Sequence, residues 1–205
     1  MAMRFITDEA ALREHMGGAP KERSVRKQLP YLDEHAQRFL AAAPFCVLAT
    51  SGADGSCDAT PRGDDPGFAR VLDGHTLALP ERPGNRRLDS LRNVLGNPHV
   101  GLVFMVPGVT HTLRVNGTAR LVADADFFDD MAVFGKRPVL ALLVAVTECY
   151  FHCAKAFIRS RLWQPDAWPA RDSVPSLGTA LRDVCQLSDV EAASADVLPE
   201  RVATF

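Results

Sequence analysis

Apolar and polar positions change their spacing along the chain, and the changes divide it into a helical start, a strand-rich middle and a helical end. TDEAAL, with Thr7 as its cap and Asp8 and Glu9 at its positive end, predicts a first helix. Leu32, Ala36, Phe39 and Leu40 recur at helical spacing, which predicts a second from Tyr31 to Ala43, stopped by Pro44. From Phe45 the spacing shortens: FCVLATS, the turn signal ADG and SCDATPRG predict a hairpin across Ala53–Gly55. Further strands are predicted at Phe68–Leu72, His75–Pro80, Val100–Val106, Thr110–Val122 and Leu140–His152. Asp73-Gly74 and Pro107-Gly108 separate them, and Asn116-Gly117 reads as a turn or as a bulge in one long strand.

Helical spacing returns at Asn85–Leu95, with Leu88, Leu91, Val94 and Leu95 on one side, and at Asp124–Phe134. A last pair of helices is predicted at Ser176–Cys185 and Ser188–Val197. No repeat or Gly/Ser-rich linker divides the chain. The expectation is one domain over 1–205, with N-terminal helices to residue 44, a barrel over 45–160 and a helical tail over 161–205. Strands that do not alternate with helices favour a closed barrel over a doubly wound sheet. GLVFMV and ALLVAV are apolar on both faces, so a second subunit or covering helices must bury the outer one.

Composition changes little in this picture. The 205 residues are 47% hydrophobic and carry a net charge of −2, which argues against general nucleic-acid binding but permits a local basic pocket. Five scattered cysteines do not make a disulfide scaffold, no membrane span is predicted, and the first residues do not read as a signal peptide, so the expected setting is a reducing cytoplasm.

The basic pocket has a candidate. PERPGNRRLDSLRN places four arginines in the eleven residues from Arg82 to Arg92, with Arg86 and Arg87 in the first turn of the predicted helix. Cations are unfavourable at that end unless an anion neutralises them, whereas a phosphate suits both the free N–H groups and the guanidinium forks. Pairing of Arg86 and Arg87 with Asp89 or Glu81 accounts for the spacing equally well. Arg62, in TPRGDDPGF, can reach the same anion or pair with Asp64 and Asp65. Lys155, Arg159, Arg161 and Trp163 can cover a planar anion or lie over the surface. Cys149, His152 and Cys153 lack the paired spacing of a zinc site, and the cysteines read as small buried hydrophobes. No nucleophile elbow, P-loop or dinucleotide loop occurs, and no acid/base pair stands out, so no catalytic residue is assigned.

In order, TPRGDDPGF, LALPERPGNRRLDSLRNVLGNPHVGLVF, VPGVTHTLRVNGTARL and FHCAKAFIRSRLWQP resemble the pyridoxamine 5′-phosphate oxidase-related, FMN-binding split-barrel family. The likeness is to a bacterial subgroup of probable FMN-dependent oxidases and covers about Pro44 to Pro165. It implies a mainly β fold with peripheral helices: a six-stranded antiparallel split barrel that dimerises and holds FMN between subunits. By position, Arg62 would contact the FMN phosphate or ribityl chain. Asn85, Arg86 and Arg87 would hold the phosphate, and Leu79, Pro80 and Glu81 would lie beside the flavin. Lys155, Arg159, Arg161 and Trp163 would approach from the second subunit. The vitamin B6 oxidase carries an arginine- and histidine-containing substrate signature near its C-terminus. Here VLPERVATF stands in its place, so the resemblance implies the cofactor and an unidentified small molecule rather than that substrate. The lack of an acid/base residue also fits the same fold as a flavin- or haem-binding module without turnover, for sensing or storage, and a deazaflavin, which split-barrel relatives use, is a third reading.

Overall fold

In the computed structural model, which describes residues 3–195, one antiparallel sheet of seven strands carries the fold. Its strands are β1 (Phe45–Ser51), β2 (Cys57–Gly63), β3 (Arg70–Asp73), β4 (Thr76–Glu81), β5 (His99–Met105), β6 (Thr112–Val122) and β7 (Leu140–His152). They lie in the order β2-β1-β5-β6-β7-β4-β3, so β2 and β3 are edges and the sheet curls into a split barrel without closing. The resemblance implied six strands and the sheet has seven; the four-residue β3 stands where the spacing predicted a strand at Phe68–Leu72. The last strand ends at His152, short of the expected barrel limit at 160.

Helices α1 (Glu9–His15), α2 (Glu22–Arg26) and α3 (Glu34–Ala42) precede the sheet. The cap of α1 is Asp8, not Thr7: its carboxylate accepts from Ala11 N at 2.9 Å. Asp33 caps α3 in the same way at 2.8 Å, and the helix buries Ala36 and Leu40 against the barrel. Helix α4 (Asp89–Gly96) lies between β4 and β5, and buries Ser90, Leu91 and Val94. The predicted helix at Asp124–Phe134 is a shorter 3-10 turn, Asp126–Met131, that buries Phe128 and Met131. Helices α5 (Lys155–Ser160), α6 (Leu177–Cys185) and α7 (Asp189–Ala195) follow the sheet. The expected end of the last helix at Val197 and the VLPERVATF tail lie outside the described residues.

Alternation along the strands sends Cys46, Leu48, Leu102, Phe104, Leu113, Val115, Leu142 and Val144 into one core, joined by Leu77 and Leu79 from β4. Burial pushes the thiols of Cys46 and Cys149 up to about 12, which leaves them as apolar fillers. Asn116-Gly117 is a register shift inside β6, as one of its two readings anticipated. Asn116 faces Glu148 and Gly117 faces Val146, so Thr147 is the extra residue of β7. Its hydroxyl donates to Asn116 O at 3.2 Å, and Asn116 Nδ2 donates to Glu148 Oε1 at 2.7 Å, which pins the register on both sides of the bulge. Among the described residues no helix is long and apolar enough to cross a membrane.

Candidate functional site

At the split in the barrel, two arginine–carboxylate pairs run in opposite senses. Arg62 of β2 meets Glu81 of β4 with Nη2 3.0 Å from Oε2. Two residues after Arg62, Asp64 accepts from Nε of Arg82 at 3.0 Å, and Arg82 Nη2 also donates to Met131 O at 2.7 Å. The two pairs clasp the β2 edge to the end of β4. Arg82 thereby ties the 126–131 turn to the same point.

Arg82→Met is therefore expected to leave the Asp64 carboxylate and the Met131 carbonyl without their donor. The loss expected is about 1–3 kcal/mol of unfolding free energy in urea titration. A double-mutant cycle with Asp64→Asn should return part of that loss as coupling.

Between this clasp and α4 lies a cavity of about 550 Å³, of the size of many small-molecule sites. One wall is β2. The two-residue period of a strand puts Asp58, Thr60 and Arg62 on one face. The hydroxyls of Thr60 and of Ser90, at the start of α4, both donate to Asp58 Oδ2 at 2.6 Å. These hydrogen bonds, from Ser90 first, hold the Asp58 carboxyl below the ordinary carboxylate range, helped by the charges of Arg62 and Arg87. Pro83 to Leu91 form the opposite wall, and Val139 and Leu140 add an apolar side. A shallower groove of about 610 Å³ lies between the β1–β2 turn and α4, sharing Arg87 and Asp89 with the cavity.

The helix starts later than its spacing predicts. Asn85, Arg86 and Arg87 form a loop, and α4 begins only at Asp89. Asn85 Oδ1 accepts from Arg87 N at 3.0 Å, which turns the chain. Arg86 has φ 60° and Leu88 has φ 60°, with Arg87 between them outside the left-handed region. Left-handed residues without glycine carry backbone strain, and alternation of hands along consecutive residues is the pattern of an anion-binding nest. Leu88 is the N-cap and offers no side-chain acceptor, so no side chain satisfies the first N–H groups of α4. The first turn holds an acid, Asp89, rather than the two arginines.

The arginines differ in what they have free. Arg87 Nε donates to Asp89 Oδ2 at 2.8 Å, one of the two pairings that spacing allowed. Arg86 makes no side-chain hydrogen bond or ion pair among the described residues. Arg62 pairs with neither Asp64 nor Asp65 but with Glu81 across the split, and its buried Nε has no hydrogen-bond partner. Burial raises the Glu81 carboxyl above its usual range, against the pull of Arg62. The cavity thus offers a phosphate-sized anion the unpaired guanidinium of Arg86, the charge of Arg62 in its wall, the loop backbone and a helix start.

Of the residues expected from sequence, Arg62, Glu81, Asn85, Arg86 and Arg87 share this cavity. Leu79 points into the barrel core, and Pro80 is buried beside Arg62 and Glu81 on the clasp's outer side. Lys155, Arg159, Arg161 and Trp163 are absent from the lining of this cavity. Lys155 and Arg159 lie on α5, Arg161 ends it with φ 53°, and Trp163 donates to Val109 O at 2.9 Å and stacks on Phe157. Thr60, Arg82 and Ser90 were not singled out in the sequence. For Thr60 the signal was available, since it stands two residues before Arg62 on a predicted strand.

The family model described as pyridoxamine 5′-phosphate oxidase matches residues 32–153. No curated protein sequence matches. Among solved structures, a Lactobacillus delbrueckii protein named for pyridoxamine 5′-phosphate oxidase is similar at 25% identity, over 60% of this chain and 98% of its own, with a TM-score of 0.46. An FMN-binding protein from Syntrophomonas wolfei is similar at 12% identity, over 70% and 96%, with a TM-score of 0.49. HutZ, the haem storage protein of Vibrio cholerae, is similar at 16% identity, over 59% and 93%, with a TM-score of 0.41.

Proposed function

Because the chain belongs to the pyridoxamine 5′-phosphate oxidase family, we propose that it is an FMN-dependent oxidoreductase acting on a small molecule, as a cytoplasmic homodimer. The observation that carries this reading is the strained 85–88 loop. It presents an unpaired Arg86 and an uncapped helix start to a cavity that also holds a buried, unpartnered guanidinium edge on Arg62. Unsatisfied cations and N–H groups gathered on one cavity wall suit a phosphate monoester.

In this reading Arg86 and Arg62 bind the phosphate, and Arg87 joins them by releasing Asp89. Thr60 and Ser90 have given their hydroxyl hydrogens to Asp58, so toward the ligand they can only accept, as suits the hydroxyls of a ribityl chain. Val139, Leu140 and Leu88 supply the apolar surface that would keep water from the ring. When bound, the flavin supplies hydride or electron transfer, and the protein's part is to orient it. Val139 and Leu88 are more than half exposed at the mouth of the cavity, which supports a second subunit completing the site. Lys155, Arg159, Arg161 and Trp163 are then residues for that subunit to contribute.

The test is direct. Protein purified after expression should carry a yellow chromophore absorbing at about 450 nm, released on denaturation with the mass of FMN. Sedimentation should give a dimer. A haem spectrum, or a monomer that binds FMN fully, would contradict this reading.

A further inference from the structure

We propose that Glu81 takes up a proton when an anion enters the cavity, so that ligand affinity is coupled to pH through this one side chain. The inference rests on the anion-binding reading above and adds to it a residue that phosphate contacts do not require.

Glu81 closes β4 with a side chain only 20% exposed, facing the Arg62 side chain, itself 18% exposed. The guanidinium lies 3.0 Å away, yet Glu81 Oε2 and Arg62 Nε are both buried without a hydrogen bond, so the two charges attract without being aligned. Among the described residues the other charges near Glu81 are already paired, apart from Arg86. Opposite it on β7 stands Leu140, preceded by Val139, neither charged. From the loop after β4, Arg82 is committed to Asp64 and to Met131 O, and Arg87 to Asp89. Arg86 is unpaired, but an anion would claim it first. On β2, Asp58 is engaged by Ser90 and Thr60. Glu81 is therefore the carboxylate on the cavity wall that accepts no hydrogen bond, and burial already favours its protonated form.

An anion in the cavity, which Arg62 and Glu81 both line, brings a second negative charge beside Glu81 and shares the cation that now compensates it. Both changes favour the protonated carboxyl. The sign follows. The bound form holds the proton more firmly than the free form, so affinity is highest below the free-state titration of Glu81. It falls as pH rises toward the bound-state titration, by at most about tenfold per pH unit for one proton.

Calorimetric titration of FMN into the full-length protein, from about pH 4.5, where an ordinary glutamate titrates, up to about pH 8, and in buffers of different ionisation heat, reads affinity and proton uptake together. The FMN phosphate itself titrates near pH 6, but it does so equally for wild type and Glu81→Gln and cancels between them. Sulfate, whose charge is constant over this range, serves as the second probe. Wild type is expected to take up a fraction of a proton that Glu81→Gln does not, and the variant to bind more tightly than wild type at the upper pH. Where the variant folds poorly, a carbon-13 titration of the wild-type glutamate carboxyls with and without sulfate reads the same shift. Identical pH dependence in the two proteins, or no sulfate-dependent shift, overturns the coupling while leaving FMN binding intact. Sulfate bound with Glu81-dependent uptake but no FMN binding keeps the coupling and discards the flavin reading. Binding of neither probe overturns both.

Discussion

Changing Arg86 and Arg87 together to alanine is expected to weaken FMN binding by about 10²–10³-fold, measured by flavin fluorescence titration. Each hydrogen bond from a cation to a phosphate oxygen contributes about 1.5–3 kcal/mol, and the pair acts on one group. The two residues should not contribute equally. Arg86 has no competing partner, whereas Arg87 must first leave Asp89, an exposed pair that costs little to break. Arg86→Ala alone should therefore account for most of the loss. Riboflavin, which lacks the phosphate, should bind the variant and the wild type alike. Raising salt should weaken FMN retention in the wild type more than in the variant, since fewer charges remain to be screened. Unchanged FMN affinity in the double variant would remove the phosphate assignment altogether.

The arginine loop stood out in the sequence before its geometry did, and the fold brings it to a cavity. Crowded cations between a strand and a helix marked the stretch, because charge density is a property of composition and survives an error in local structure. The helix start was misplaced because Leu88, Leu91, Val94 and Leu95 keep helical spacing, although Leu88 is the cap and Leu95 is exposed. Only the turn made by Asn85 and the left-handed backbone at Arg86 and Leu88 separate the loop from the helix, and spacing records neither. The partner of Arg62 was missed for a different reason. Asp64 and Asp65 are its neighbours in sequence, but β2 ends at Gly63 and Asp64 beyond it is taken by Arg82. The curl of the sheet brings Glu81 from the far end of the strand order to meet Arg62.

The strands themselves were read more closely. Leu140–His152 has the bounds expected of it, because its apolar residues keep no helical period and from Val144 to Thr147 alternate between buried and exposed as a strand's do. β3 was placed two residues early, since Phe68 packs on the core from a loop rather than from a strand.

Gly117→Ala is expected to damage the fold severely for the addition of one carbon, costing about 3 kcal/mol and lowering the melting temperature by roughly 10 °C. The cause is space rather than backbone dihedral: Gly117 does not lie in the left-handed region, but a Cβ there would overlap the carbonyl of Ala145 and press on Val144 Cγ1. Ala145 and Val144 are strand backbone and buried core, held by β4 as well as by β6, so neither can give way without parting the ladder. The bulge at Thr147 makes the approach close, because two residues of β7 must pass one step of β6 there. Gly84→Ala is the matching control. It stands in the arginine loop with open space around its Cβ position, so it should leave thermal and urea unfolding unchanged within about 0.5 kcal/mol. A Gly117→Ala protein as stable as the Gly84→Ala one would show that β6 and β7 can shift register past the bulge. The cavity's apolar side at Leu140 would then not be fixed by the sheet.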